Sequence, residues 1–500
     1  MAKIQRLLIA NRGEIAVRII RACREAGIES VAVYSDADRA ALHVRRADRA
    51  VRIGPASPAE SYLSIPALIA AAQETRADAV HPGYGFLSER AGFARACEEA
   101  GIIFIGPPAD VIETMGSKIA SRALMQAANV PVVPGQTPTD QSDEGVTEAA
   151  RTTGYPVLVK ASAGGGGKGM RMVRRDAEAH DAIQAARREA VAAFGDGTLY
   201  VERLIERPRH IEIQVLADSH GNVVHLFERE CSLQRRHQKV IEESPSAALT
   251  ARLRTRMGEA AVAAARAVRY RSAGTIEFLV EGDGDAARFY FLEMNTRLQV
   301  EHPVTEAVTG LDLVRAQFAA AAGEKLPWQQ SDLLQRGHAI ECRIYAEDPA
   351  NGFLPQAGPL LLYREASGPG LRVDSGFGEG DSIPVHYDPL IAKLIAHAET
   401  REAAIDRAAA GLRRFPILGI RTNTAFLLRL LEDEAFRAGR AHTGYIDEHI
   451  ARLTADASAP VQAVAAAAIA QAPGSSAAAE RGETPAGALD PWATLTGWGR

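Results

Sequence analysis

The chain has 500 residues, 47% of them hydrophobic and 24% charged, with 57 basic against 62 acidic side chains and a formal net charge of -5. That length supplies several domains of ordinary size and excludes a one-domain peptide-binding module. The balanced charge gives no ground for nucleic acid or an anionic membrane as a partner. The four cysteines, Cys23, Cys97, Cys231 and Cys342, have no paired spacing, so neither a zinc site nor a disulfide framework can be read from them, and a reducing, cytoplasmic location is expected.

No apolar run approaches the roughly 20 residues that span a bilayer, and the first apolar stretch, residues 7–10, is too short for a signal peptide. Structure is expected to begin at the N-terminus itself. Residues 4–10 read as a strand, 14–26 as a helix ended by Gly27, and 30–34 as a second strand. Units at 65–74, 79–81, 93–100 and 102–105 continue the alternation, which predicts a parallel sheet covered by helices. The first turn, Asn11-Arg12-Gly13-Glu14, lacks the three-glycine fingerprint, so a nucleotide-fold look-alike is expected rather than a dinucleotide site. The loop His81-Pro82-Gly83-Tyr84-Gly85-Phe86 follows an apolar strand where open parallel sheets place ligand loops; an ordinary Pro-Gly turn is the alternative.

From about residue 115 the rhythm changes. A helix at 117–127, a Pro- and Gly-containing connector at 131–138, another helix, a strand at 156–160, a glycine run, a strand at 170–174 and a charged helix at 176–193 follow. Strands at 198–201, 209–217 and 223–228 complete what is expected to be a small antiparallel module inserted in a larger one. The run Lys160-Ala161-Ser162-Ala163-Gly164-Gly165-Gly166-Gly167-Lys168-Gly169 lets successive backbone amides turn toward an anion, with Lys168 adding mobile positive charge. It is not a P-loop, because Met170 stands where Ser or Thr should bind magnesium. Only 7 of the 57 basic residues are Lys (positions 3, 118, 160, 168, 239, 325 and 393). Where Arg serves nearly everywhere, a retained Lys points to a need for a compact ammonium. Four of the seven fall in the segments singled out for chemistry, whereas Lys3 and Lys325 are expected on the surface.

After a helix at 250–268 comes a hairpin, 275–280 and 288–294. Residues two apart share a strand face, so Glu293, Asn295 and Arg297 point together while Leu292 and Met294 face the core. The turn brings Glu277 back toward them. Two carboxylates and an amide oxygen without His or Cys form an oxygen-only set suited to magnesium carrying substrate phosphates; a solvated polar face paired with Arg297 is the other reading. Residues 228–244, with the run Gln234-Arg235-Arg236-His237-Gln238-Lys239, followed by Val300-Glu301-His302-Pro303, could hold an anion, and a Glu beside such a cluster can act as a base; alone the charge run reads as a wet loop. His302 before Pro303 reads as structural. A mixed strand and helix region extends from 337 to about 450, followed by an Ala-, Pro-, Ser- and Gly-rich tail with little capacity to order.

Taken together, residues 11–16, 81–89, 160–170, 234–241, 293–302 and 341–344 closely resemble biotin carboxylase, the ATP-grasp component of biotin-dependent carboxylases, over about residues 1–450. The resemblance implies an α/β (α+β) chain with an ATP-grasp fold: a Rossmann-like N-terminal domain at 1–114, an ATP-grasp domain at 115–334 with a lid near 132–204, a C-terminal biotin carboxylase domain at 335–450, and a tail at 451–500. It implies ATP contacts from Lys118, Lys160, the loop residues Gly165, Gly166, Gly167 and Lys168, Glu202, Ile205, His210, Gln234 and His237. Magnesium or manganese would fall to Glu277, Glu293 and Asn295. Bicarbonate would fall to Lys239, Arg297, Gln299, Val300 and Glu301, with Glu301 as the general base. Arg343 would stabilise the deprotonated ureido oxygen of biotin, and Tyr84 lies in the matching biotin loop. The implied activity is that of an ATP-dependent ligase forming a carbon–nitrogen bond.

The sequence departs from the family pattern at Arg203-Leu204, where a Lys-Tyr or similar pair is expected in the adenine segment. It contains no Met-Lys-Met biotin acceptor, since Lys393 sits in Ile391-Ala392-Lys393-Leu394. Biotin is therefore expected on a separate carrier domain or protein, with a carboxyltransferase subunit and a homodimer or larger complex as further partners. Residues 490–498 resemble the start of the linker domain of single-chain carboxylase α-subunits. Two rivals are another ATP-grasp carboxylating ligase, such as carboxyaminoimidazole ribonucleotide synthase, and a catalytically silent assembly subunit; a scaffold would not need Lys239, Arg297, Glu301 and Arg343 together.

Overall fold

The computed structural model describes residues 4–162 and 169–455. Strands β1 (Arg6–Ile9), β2 (Glu29–Ser35), β3 (Arg49–Gly54), β4 (Ala79–His81) and β5 (Ile103–Phe104) form a parallel sheet in the order β3-β2-β1-β4-β5. Leu7 and Ile9 enter one core while Leu8 and Ala10 enter another. Burial on both faces is the reason the strand reads as a continuous apolar run. The helix Gly13–Ala26 ends at Gly27, which takes the left-handed conformation at φ 67°. Its entry turn is a structural joint. Arg12 forms a two-pronged pair with buried Asp38 at 2.6 and 2.8 Å, and the Asn11 amide donates to the carbonyls of Pro82 and Tyr84 at 2.7 Å each.

A second, antiparallel sheet of β6 (Gly135–Gln136), β7 (Val157–Ala161), β8 (Met170–Val173) and β9 (Leu199–Arg203) runs in the order β6-β9-β7-β8. Helices Asp143–Thr153 and Ala179–Phe194 cover it around a core of its own that includes Val146, Val159, Ile183 and Val201. Gly165, Gly166, Gly167 and Lys168 lie outside the described residues, as do Met1–Lys3 and the 456–500 tail.

The third sheet is the largest. β10 (Arg209–Ala217), β11 (Val223–Arg235), β12 (Gln238–Ser244), β13 (Ser272–Glu281), β14 (Arg288–Asn295), β15 (His338–Tyr345), β16 (Leu371–Ser375) and β17 (Leu390–Ala398) form one antiparallel surface. Their order is β14-β13-β10-β11-β12-β15-β17-β16. Three expectations are corrected here. Strands 209–217 and 223–228 do not belong to the small module: β10 pairs with β11 and β13 in the large sheet, a choice set by distant partners rather than local spacing. The basic run at 234–239 is not a wet loop. β11 continues to Arg235, a tight turn places Arg236 and His237 at φ 48° and 66°, and β12 returns, with the Arg235 guanidinium 3.9 Å over the Phe353 ring. Leu292 does not face the core as Met294 does. The register slips between Glu277 and Phe278, leaving Leu292 as the extra residue of a β-bulge and only half-buried.

The departure at Arg203 has a structural role. Its guanidinium donates to both oxygens of Glu281 at 2.9 and 2.8 Å and to the Tyr290 hydroxyl at 3.1 Å, tying β9 to the β13–β14 hairpin. Val133, Ile205 and Tyr290 form a small apolar cluster at the same joint. Across the large sheet each fully buried large apolar side chain, such as Phe278, contributes about 1.5–3 kcal/mol by leaving water.

Gly83 sits at φ 63°, and a Cβ there would stand 2.8 Å from the Asn11 amide nitrogen. Gly83→Ala is expected to destabilise the protein by about 1–3 kcal/mol, through left-handed strain and displacement of Asn11. A lower urea midpoint would register it, and an unchanged midpoint would disprove it.

Candidate active site

The register places a row of ionic side chains across four strands: Glu293 opposite Glu277, Glu277 opposite Glu212, and Glu212 opposite Arg229. Buried acids placed side by side repel one another and need cations. Lys239 on β12 supplies one. Its ammonium donates to Glu212 at 2.5 Å, Glu277 at 2.9 Å and Glu301 at 2.6 Å. Arg229, wholly buried, pairs with Glu212 and donates to Gln214, Thr305 and Thr275. Arg343 on β15 bridges Glu242 at 2.5 Å and the other oxygen of Glu301 at 3.0 Å. Burial alone would raise the Glu301 carboxyl, but Lys239 and Arg343 outweigh it and hold it well below the usual carboxylate range. Glu301 is therefore an anion gripped from two strands.

Around that centre the predicted residues form one network. Arg297 donates to Gln299 at 2.9 Å and to Asn295 at 3.0 Å. The side-chain amides of Asn295 and Gln299 donate to Glu277 at 2.8 and 3.2 Å, and Val300 takes part through its carbonyl, which accepts from Lys393 at 2.6 Å. His210 Nε2 lies 3.0 Å from Glu277 Oε2, with Gln234 against its other ring nitrogen at 3.4 Å. His237 stands apart from this network, exposed at the hairpin tip.

Among the described residues, two groups bring His, Cys or acidic ligand atoms together within 4.8 Å: His210-Glu212-Glu277 and Glu212-Cys231-Glu301. Lys239 donates to the carboxylates of both, so an ammonium already supplies positive charge there. The outer end of the row is different. Burial raises the Glu293 carboxyl and Glu277 opposite raises it further, against the pull of Lys118. A divalent cation between Glu277 and Glu293 would relieve that repulsion with oxygen ligands, as magnesium or manganese prefers; Asn295 would join them by turning its amide, since its oxygen accepts from Arg297 and its nitrogen donates to Glu277.

Toward the smaller sheet, Lys160 is buried and donates to Glu202 Oε2 at 2.9 Å, while Arg122 donates to Glu202 Oε1 at 2.7 Å. The Lys118 backbone amide meets the Ser162 carbonyl at 3.4 Å. Ile205 belongs to the apolar joint described above. On the far side Tyr84 donates its hydroxyl to Glu14.

Several participants were missed in the sequence. Glu212 carried a signal, lying two residues after His210 on the same strand face. Glu89, in the loop already singled out, accepts from Arg297 at 2.9 Å and from the Thr296 amide at 3.1 Å. Lys393 carried a signal as one of only seven lysines. Glu14 lies in the first turn, residues 11–14, and Arg229 and Glu242 lie in the 228–244 segment, but their roles, like that of Arg122, come from partners elsewhere in the chain.

Family models match most of the chain in three segments: "Biotin carboxylase, N-terminal domain" over residues 3–112, "Carbamoyl-phosphate synthase L chain, ATP binding domain" over 117–329, and "Biotin carboxylase C-terminal domain" over 341–448. A biotin carboxylase from Halalkalibacterium halodurans is 51% identical over 446 residues, covering 89% of this chain and 98% of that protein. The mitochondrial methylcrotonoyl-CoA carboxylase subunit alpha of Rattus norvegicus is 52% identical over 447 residues, covering 89% of this chain and 62% of that protein. The chain thus spans about three-fifths of such α subunits. Among solved structures, the biotin carboxylase domain of Hydrogenobacter thermophilus 2-oxoglutarate carboxylase, in complex with MgADP, ADP and bicarbonate, superposes with a TM-score of 0.87 at 46% identity. That match covers 92% of this chain and all of the domain.

Glu242 is wholly buried opposite Glu341, and burial raises its carboxyl to about 7 despite Arg343. A raised acid keeps its proton in the folded state where the unfolded chain releases it. Its contribution is present at low pH and is lost as pH rises from the ordinary glutamate range through about 7. Glu242→Gln should therefore flatten the fall of stability with pH over that window, by up to ~1.4 kcal/mol per pH unit. Denaturant midpoints of both proteins across the window check this, and parallel slopes would refute it.

Proposed function

Because the chain belongs to the biotin carboxylase family and has its ATP-grasp fold, we propose that it carboxylates biotin at the expense of ATP and bicarbonate. This is the first half-reaction of a biotin-dependent carboxylase. The observation that carries the proposal is Glu301: one carboxylate oxygen is held by Lys239 and the other by Arg343. The residues assigned to bicarbonate and the residue assigned to biotin thus meet on a single side chain.

Bicarbonate is a poor electrophile. Activation transfers the γ-phosphoryl group of ATP to a bicarbonate oxygen, giving carboxyphosphate and ADP, and carboxyphosphate breaks down to carbon dioxide and phosphate. Glu301 accepts the proton that bicarbonate loses. Lys239, Arg297 and the Gln299–Val300 segment orient the anion, while Lys118 and Lys160 offset charge building on the phosphates. For Lys160 this requires leaving Glu202 or sharing it with the nucleotide. Gly165, Gly166, Gly167 and Lys168 are assigned the phosphate-covering loop, and Glu202, Ile205, His210, Gln234 and His237 the nucleotide's base, ribose and phosphate neighbours. A magnesium or manganese ion on Glu277, Glu293 and Asn295 would neutralise further phosphate charge. The liberated phosphate takes the proton from the biotin ureido nitrogen, and that nitrogen attacks carbon dioxide. The Arg343 guanidinium, beside Tyr84, stabilises negative charge on the ureido oxygen. The small-sheet module would exclude water as a lid over these steps.

The domain limits 1–114, 115–334 and 335–450 are part of the proposal. So are a biotin carboxyl carrier domain or protein, a carboxyltransferase subunit and a homodimer or larger assembly, for which the names of the relatives speak. The reducing, cytoplasmic location belongs here too, supported by four buried, unpaired cysteines.

Bicarbonate-dependent ATP hydrolysis, stimulated by free biotin, is the expected activity; a folded preparation without biotin stimulation refutes the reading. Glu301→Gln should lower turnover by about 100-fold or more while ADP still binds, and unchanged turnover would remove the base assignment. Arg343→Ala should reduce the biotin step more than biotin-independent ATP cleavage. Equal losses in both assays would make Arg343 structural.

A further inference from the structure

Lys393 is a cation that the chemistry above does not use. It lies on β17, wholly buried, directly opposite Arg343 on β15 and Asp374 on β16. Its ammonium donates to the backbone carbonyl of Val300 at 2.6 Å and lies 3.2 Å from Glu14 Oε1. Glu14, buried in the first turn of helix Gly13–Ala26, accepts the Tyr84 hydroxyl on that same oxygen. Burying an ammonium is costly, and an apolar side chain of similar volume would fill the same space more simply. What this ammonium adds is a short, charge-assisted bond to the main chain between Gln299 and Glu301. Fixing the Val300 carbonyl fixes the peptide plane leading into Glu301, which caps the helix His302–Thr309.

We infer that Lys393 is a positioning residue for the proposed reaction: its ammonium pins the Val300 carbonyl and, through Glu14, the Tyr84 hydroxyl, setting the bicarbonate segment and the biotin loop in register. This rests on the assignment of Gln299, Val300 and Glu301 to bicarbonate and of Tyr84 to biotin given above. The linkage joins four parts of the chain that no local motif connects: the first helix, the loop after β4, the segment after β14, and β17.

The test uses the full chain and its Lys393→Met variant, which keeps an unbranched side chain of similar length. ATP hydrolysis is titrated with bicarbonate, ATP and free biotin in turn, and ADP binding is followed by calorimetry. The expected result is a KM for bicarbonate raised about tenfold or more, with the KM for ATP and the affinity for ADP within about twofold of the parent. A folded variant with an unchanged KM for bicarbonate overturns the inference, and so does an equal rise in the KM for ATP, which would mark a structural role. A parent protein without bicarbonate-dependent hydrolysis would instead fail the pocket assignment itself. Should K393M lose ADP binding together with cooperative melting, Glu14→Gln decides. The KM for biotin must then rise about threefold or more relative to the KM for ATP, and an unchanged ratio overturns the inference.

Discussion

One buried ammonium makes the rest of the site possible. Glu212, Glu277 and Glu301 come from three separate segments, and all are buried beside one another. Without compensation, neighbouring carboxylates in a water-poor interior would take up protons or force the strands apart. The Lys239 ammonium donates to all three, with Arg229 behind Glu212 and Arg343 behind Glu301. The charges balance only when β10, β11, β12, β13, β15 and the segment following β14 are assembled together. The same contacts that allow the acids to be buried therefore also specify how these elements dock.

Much of this could be read from the residues, and the part that could not follows a physical rule. The alternation in the first hundred residues, the strands 156–160, 170–174 and 198–201 of the small sheet and the hairpin bearing Glu277, Glu293 and Asn295 rest on local periodicity, which survives folding, whereas the sheet that 209–217 and 223–228 join is set by distant partners. The bulge at Leu292 escaped because one extra residue breaks strict alternation without leaving a compositional mark. The basic run at 234–239 reads as solvated because a stretch of like charge ordinarily is. It is ordered instead by Phe353 under Arg235 and by acids from other strands over Lys239. Glu212 could have been found by the period of two from His210. Glu14 is in view as part of the first turn, but its role, like that of Glu242, is not, since an acid becomes part of a site only through a partner the chain supplies scores or hundreds of residues later.

Arg203 shows how a departure from a family pattern can be absorbed. Its side chain turns from the adenine segment to Glu281 and Tyr290, so the substitution strengthens the junction between the small sheet and the hairpin while Glu202 keeps its place between Lys160 and Arg122. Val133, Ile205 and Tyr290 pack at the same junction, and the Phe291 amide donates to the Pro131 carbonyl at 2.7 Å. An exposed ion pair there would add little, but a two-pronged, half-buried one is better placed to matter.

The continuous ladder from β14 to β16 has a consequence for how reach is measured in this protein. Lys239 and Arg343 stand on neighbouring strands, β12 and β15, hydrogen-bonded to each other from Ile241 to Ser244. The gap between adjacent strands is fixed at about 4.8 Å by backbone geometry. The two cations that meet on Glu301 stand just beyond that paired stretch, Arg343 next to Cys342 and Lys239 past a register slip at Val240, so the sheet sets where their backbones start and the long side chains cover the rest. The backbones that carry the two cations are thus parts of one hydrogen-bonded sheet, and their separation does not depend on the smaller sheet.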